Sequence, residues 1–277
     1  MSTVALPATA RRVGRAVNHT AVLARRNLLA TIRLRDVLLL STIQPVTFLL
    51  MFLYVFGGAI EAALPAAAGG AYVNWLIPGI LAQSAIFGAS PTAFGLNNDR
   101  ATGVIGRFRS LPMARSAVLA GRTLADLARS TAVLLLQLGA GIALGFRWNT
   151  TIWGVAAGVA LALAFGYACS WVMATLGLAV RHSEAIQAAV FMVVFPLTLV
   201  SSVFLPTTTM PGWLQAFAAH QPITVVANAL RGLMLGPGAL QPGQTVAGQA
   251  LLALAWTAAI LAVFAPLAVR TYRRSVS

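Results

Sequence analysis

The side chains able to do acid, base, nucleophilic or metal chemistry in this 277-residue chain are few and scattered. The acids are Asp36, Glu61, Asp99, Asp126 and Glu184, the histidines are His19, His182 and His220, and the single cysteine is Cys169. A lone thiol can form neither an intrachain disulfide nor a cysteine-based zinc site. The histidines are widely separated, and the topology below puts His220 across a membrane from the other two, against a histidine metal site. All nineteen basic residues are arginine. Without lysine the chain cannot run Schiff-base chemistry, nor can it be a P-loop ATPase, whose glycine-rich loop needs a lysine on the phosphates. Intramembrane enzymes acting on lipid phosphates gather acids or histidines near one face, and ion-driven carriers hold ionisable groups within their spans. Here the five acids fall at the ends of apolar runs or between them.

The elements that would carry these residues are apolar helices. Hydrophobic residues make up 59% of the chain and charged ones 9%, against about 25% charged in a soluble domain. Crossing the hydrocarbon takes about 20 apolar residues in a helix. Six segments qualify: 37–60, 73–95, 130–146 (from 117 if its helix begins early), 152–180, 186–205 and 246–269. The first follows an arginine-rich stretch and, at 24 residues, is too long for a signal-peptide core of about 7–15; it reads as a retained span, although Ala66–Ala68 imitates a cleavage site. Positive residues stay on the cytoplasmic side. Seven arginines precede the first span, six lie between the second and third, Arg181 follows the fourth and three occupy the tail, whereas Arg147 and Arg231 alone lie opposite. Both ends are therefore expected in the cytoplasm: residues 1–36 as an N-terminal segment, 37–269 as the transmembrane domain and 270–277 as a tail. Arginines flanking apolar runs do not make a nucleic-acid surface.

Three segments outside the spans carry further information. Between Arg12 and Arg35, Val13, Val17, Ala24, Leu28 and Ile32 recur at helical spacing, which fits an amphipathic helix in the headgroup layer as well as an ordinary basic flank. From Asn97 to Arg115, the apolar residues Val104, Ile105, Phe108 and Leu111 sit among arginines and stop at Pro112; such a short helix could grip a partner or rest on lipid. The connection from Pro206 to Thr245 predicts two short helices, one with Trp213, Leu214 and Phe217 on its apolar face and one begun by Pro222, dipping into the outer leaflet. Inside the spans, Gln44 and Gln83 are polar exceptions. Phe87, Phe191 and Phe195 could line an apolar passage or pack against neighbouring helices.

Two patterns give the chain a family likeness. One is the loop run Asp99-Arg100, Gly103, Arg107, Leu111-Pro112, Arg115 and Arg122; the other is the outward run MPGWLQAFAAHQPITVVANALRG, with Pro211-Gly212-Trp213, His220-Gln221-Pro222 and Ala229-Leu230-Arg231-Gly232. Together they resemble the membrane subunit of type-2 ABC exporters, of the daunorubicin-resistance type, over nearly the whole chain. The wider family commonly has a second glutamate in the loop where Ala101 stands here. The resemblance implies an all-α polytopic protein: six transmembrane helices, an N-terminal amphipathic interfacial helix, and short outer re-entrant helices before the last span. It also implies a non-catalytic subunit in a bacterial plasma membrane, associated with a second, identical or different, permease subunit. Two copies of a separate ATP-binding subunit would carry the ATP and magnesium, and this chain would bind no cofactor. Asp99, Arg100, Gly103, Arg107, Phe108, Leu111, Pro112 and Arg115 would couple it to that ATPase. Trp213, His220, Pro222 and Arg231 would form the outer re-entrant segment, and Gln44, Gln83, Phe87, Phe191 and Phe195 could line a pathway for an amphipathic drug-like or lipid-like compound. An ion-coupled carrier and a non-transporting membrane enzyme or scaffold are the alternatives.

Overall fold

The computed structural model describes residues 43, 45–61, 71–102, 115–180 and 182–275, with backbone only at 61, 115–125, 274 and 275. The N-terminal segment with its expected interfacial helix, Gln44, Gly103, Arg107, Phe108, Leu111 and Pro112 lie outside the described residues, and Arg115 is described by its backbone alone. Every regular element among the described residues is helical. They are α1 (Pro45–Ile60), α2 (Tyr72–Phe87), α3 (Ser90–Ala101), α4 (Arg115–Ala143), α5 (Ile152–Ala179), α6 (Ser183–Leu199), α7 (Gly212–His220), α8 (Pro222–Leu235) and α9 (Val246–Ser275).

Among the described residues, three stretches are long and apolar enough to cross a membrane: Tyr72–Ala101, Ile152–Ala179 and Val246–Arg273. α1, α6 and α8 are shorter apolar helices. α1 contains a π-helical segment, Phe52–Phe56, at whose start Phe52 stacks on Phe204 with ring centroids 4.0 Å apart. Beyond Leu199 the expected fifth segment is not helical: Ser201 Oγ donates to the Thr198 carbonyl at 2.5 Å, and the chain turns through 201–205.

α5 is apolar on every side, as befits a helix that meets other helices on one side and lipid on the other. It packs most extensively on α9, then on α3, α8, α2 and α4. Thr151 caps its start by accepting from the Gly154 amide. Glycines on α5 fall where neighbouring backbone comes closest: a Cβ on Gly166 would meet Ala85 of α2, one on Gly177 would collide with the backbone of Ala93 in α3, and one on Gly154 would press on the Leu233 carbonyl of α8. Small residues at such crossings let helices approach without a cavity between them. Gly154 and Gly158, one turn apart, thus pack on the C-terminal turn of α8, Gly158 meeting Met234.

α8 differs from the expectation of a helix dipping into lipid. Twelve of its residues are buried, between α2, α5 and α9. Pro222 stands at its first turn and Gly236, at φ 93°, ends it. α7 does turn its apolar face outward, with Trp213 78% and Phe217 53% exposed.

The tight crossing yields a stability prediction. Gly177→Ala places a methyl group against backbone that cannot rotate away, at an expected loss of about 1–3 kcal/mol. Gly139 has open space where its Cβ would stand, so Gly139→Ala should be neutral or stabilising. Thermal unfolding of the detergent-solubilised protein checks both; equal midpoints for the two variants would contradict the crossing.

Candidate functional site

Two places concentrate polar groups inside the apolar bundle. The first lies at the Tyr72 end, where Arg231 of α8 is fully buried. Its Nη1 donates to Ser202 Oγ and Asn228 Oδ1, each at 3.0 Å. Its Nη2 donates to the carbonyls of Ser202 at 2.6 Å and Val203 at 3.1 Å, and Nε donates to the Trp75 carbonyl at 3.2 Å. A guanidinium has five N–H donors, and here each has an acceptor. The guanidinium also stands 3.6 Å over the Trp75 ring, the cation–π arrangement. No carboxylate among the described residues pairs with Arg231. Two further bonds close the cluster: Tyr72 Oη donates to the Phe204 carbonyl at 3.0 Å and the Ser202 amide donates to Thr224 Oγ1 at 3.0 Å. Arg231 therefore ties α8 to the start of α2 and to the turn after α6.

The second place is a cavity of about 280 Å³ between α1, the α2–α3 junction, α4 and α6. Five phenylalanines, Phe48, Phe87, Phe94, Phe191 and Phe195, form its apolar walls. Its polar lining comes from Gln83, Ser84, Ser90, Arg129, Ser130 and Gln187. The α2–α3 junction creates the space: the helix breaks at Gly88–Ala89, and a Cβ on Gly88 would press on the Ser84 carbonyl and Ser130 Oγ of α4. Arg129, 6% exposed, donates through Nη2 to the Gly88 carbonyl at 2.7 Å and lies 3.9 Å from Asp126. Asp126 in turn accepts from Thr92 Oγ1 at 2.5 Å. The buried arginine thereby satisfies the carbonyl that the break releases and neutralises one acid.

Of the residues expected to line a pathway, Gln83, Phe87, Phe191 and Phe195 all meet in this cavity. Phe191 is half exposed, so the cavity reaches the surface along α6. Of those expected in ATPase coupling, Asp99 and Arg100 fall in the last turn of α3, and Arg100 Nη1 donates to the Leu178 carbonyl at 3.0 Å. Asn97 does the same for the Val180 carbonyl at 2.8 Å, so the two side chains cover the orphan carbonyls at the C-terminal end of α5. Of the expected outer residues, Trp213 is exposed and His220 Nδ1 bonds the Ala216 carbonyl of its own helix at 2.9 Å.

Among the cavity residues that were not sequence candidates are Arg129, Ser90, Phe48 and Gln187. Arg129 carried a signal, since Asp126 and Arg129 stand three apart on a helix beside an apolar run. Nothing in the sequence marks the other three, because the junction that gathers them depends on how α2, α3 and α4 pack. Gln221, part of the outward run, takes a role the sequence did not indicate; its Nε2 donates to the Leu197 and Val200 carbonyls at 3.0 and 2.7 Å, capping α6.

The chain matches the family described as ABC-2 type transporter over residues 18–235. It is 35% identical over 231 residues to the daunorubicin resistance ABC transporter permease protein DrrB1 of Streptomyces coeruleorubidus, covering 83% of this chain and 77% of the relative. It is 31% identical over 201 residues to the probable doxorubicin resistance ABC transporter permease protein DrrC of Mycobacterium tuberculosis, covering 72% and 70%.

The Arg231 cluster predicts a graded loss of stability. Arg231→Met leaves its acceptors unpartnered, each at a cost of about 1–3 kcal/mol, and should abolish or sharply lower the unfolding midpoint in detergent. Arg231→Lys, with three donors and no plane to lay on Trp75, should recover only part of it. A midpoint unchanged by Arg231→Met would contradict this reading.

Proposed function

The chain belongs to the ABC-2 type transporter family, and from that premise we propose that it is the permease half of an exporter moving an amphipathic compound outward through the cavity between α1, α2–α3, α4 and α6. Membership makes it a membrane-embedded transport subunit rather than a catalytic one, and its relatives are drug-resistance ABC permeases from bacteria. The relatives' names concern daunorubicin and doxorubicin; an amphipathic, drug-like or lipid-like substrate for this chain is the present proposal. Its support is the cavity itself, with phenylalanine walls and a polar corner of the kind that binds an apolar body and orients its polar end.

The rest of the proposal concerns energy and arrangement. A chain without lysine has no P-loop of its own, so a separate ATP-binding subunit, in two copies, is proposed to drive two associated permeases, identical or not. The Asn97–Arg115 stretch is the proposed coupling element, its arginines pairing with acids on the ATPase and Phe108 entering a groove there. Six spans with both ends in the cytoplasm of a bacterial cell put that stretch on the ATPase side. ATP-driven closure of the ATPases would then reshape the cavity.

Co-expression with the ATP-binding subunit tests the proposal. The two chains should co-purify, and Phe108→Ala and Arg107→Glu should each reduce ATP-linked efflux about tenfold, the effect of losing ~1.4 kcal/mol of contact. Absence of a complex, together with unchanged efflux in both variants, would refute it.

A further inference from the structure

On the reading that the cavity receives the exported compound, we propose that it selects ligands whose polar end accepts hydrogen bonds, neutral or anionic amphiphiles, and disfavours amphiphilic cations. The charge on the lining sets the preference. Among the described residues, Arg129 is the only charged side chain on it, and no carboxylate lines the cavity. Asp126 is not part of the lining and already engages Thr92 and Arg129. Arg129 donates to Gly88 through Nη2, leaving Nε and Nη1 without a hydrogen-bond partner among the described residues.

Two further groups stand ready to donate. Gln83, 8% exposed, lines the cavity and makes no side-chain hydrogen bond among the described residues, and Ser90 Oγ is buried there without a partner. An unpaired buried polar group is costly, and a ligand oxygen would relieve it. The helix break adds to the effect. Arg129 covers the Gly88 carbonyl at the C-terminal end of α2, the end that would attract a cation, while the first turn of α3 at Ser90–Pro91 opens the cavity wall with its positive dipole end.

The phenylalanine walls offer the contrary attraction. Aromatic faces bind organic cations, most strongly where an acid or several rings enclose the charge. Here Arg129 shares the same small space, and its charge, offset only in part by Asp126 at 3.9 Å from Nη2, opposes a cation in a poorly screened site. The rings are thus left to hold the apolar body.

The test uses the full chain in nanodiscs of phosphatidylcholine and three probes with one aromatic body: pyrenebutyrate, pyrenebutanol and pyrenebutylamine. Saturable energy transfer from protein tryptophan to pyrene, corrected for empty discs, reads binding. Pyrenebutyrate and pyrenebutanol should bind at least about tenfold more tightly than the amine. Arg129→Gln should remove the difference between acid and amine, Arg129→Lys should keep it, and Gln83→Ala and Ser90→Ala should each weaken pyrenebutyrate severalfold. Because Arg129 also supports the α2–α3 junction, the Gln83 and Ser90 variants keep the test readable if Arg129→Gln unfolds. Amine binding as tight as acid binding, a preference that survives Arg129→Gln, or no saturable binding of any probe would overturn the proposal. Discs containing phosphatidylglycerol separate the two sources of an anionic occupant: displacement of the probe identifies a lipid headgroup and persistence identifies a free amphiphile, the selectivity standing in either case. No ATPase is present, so a failed complex in the efflux experiment would sink the exporter reading while leaving this one intact.

Discussion

A guanidinium buried in an apolar bundle without a carboxylate beside it is the constraint on which the arrangement turns. Its desolvation is tolerable only if every donor finds an acceptor, and Arg231 finds its five on three separate pieces of chain: the first turn of α2, the turn after α6, and its own helix. Satisfying one side chain therefore fixes three backbones relative to one another. Ser202 and Asn228 bond each other as well as Arg231, the Ser202 amide bonds Thr224, and Tyr72 holds the adjacent Phe204 carbonyl, so the network closes on itself. Partly satisfied polar networks destabilise, whereas complete ones specify a single packing.

From this anchor the geometry propagates along α2. Gly79 lets the helix lie against the backbone of Val203, and Gly166 of α5 accepts it at Ala85. With α2 held at its Tyr72 end and along its length, the break at Gly88 is the place where the stretch departs from a continuous rod. Arg129 and Ser130 of α4 meet that break, and the cavity opens beside it. Phe48 and Phe52 of α1 stand 6.3 Å apart in a stacked pair, and Phe52 stacks on Phe204 next to the anchor. A row of rings thus leads from the cavity wall to the carbonyls that hold Arg231. In the proposed exporter the anchor would be the rigid end, and movement would be expected at the junction and along this row.

Much of this was legible in the residues, for physical reasons. Apolar runs and the scarcity of charge dictate helices that meet lipid, and the aromatic and glutamine residues interrupting them, Gln83, Phe87, Phe191 and Phe195, come together as a cavity lining. Other features depend on three-dimensional packing that spacing does not encode. Arg231 counts in the sequence as a charge in an outer connection, yet it is the best-buried cation among the described residues, because three of its five acceptors are backbone carbonyls that any residue could supply. Pro222 does start a helix as its type predicts, but whether that helix rests in lipid or inside the bundle is decided by α2, α5 and α9, not by its own apolar face. Arg129 was misleading for the opposite reason. It stands in a row of arginines that reads as a topological signal, while the structure gives it a broken helix to hold.

The central claim is that the cavity beside Gly88 is the transport passage and changes its access with the ATPase cycle. Cys169 is the only native cysteine and is buried, so Phe87→Cys in a Cys169→Ala background reports on the cavity alone. Its alkylation by a membrane-impermeant maleimide would be measured in vesicles of the complex with the ATP-binding subunit, from each side, before and after trapping with ATP and vanadate. Labelling from the ATPase side that falls on trapping, with labelling from the far side that rises, is the predicted result. Labelling rates that do not respond to nucleotide would contradict the account.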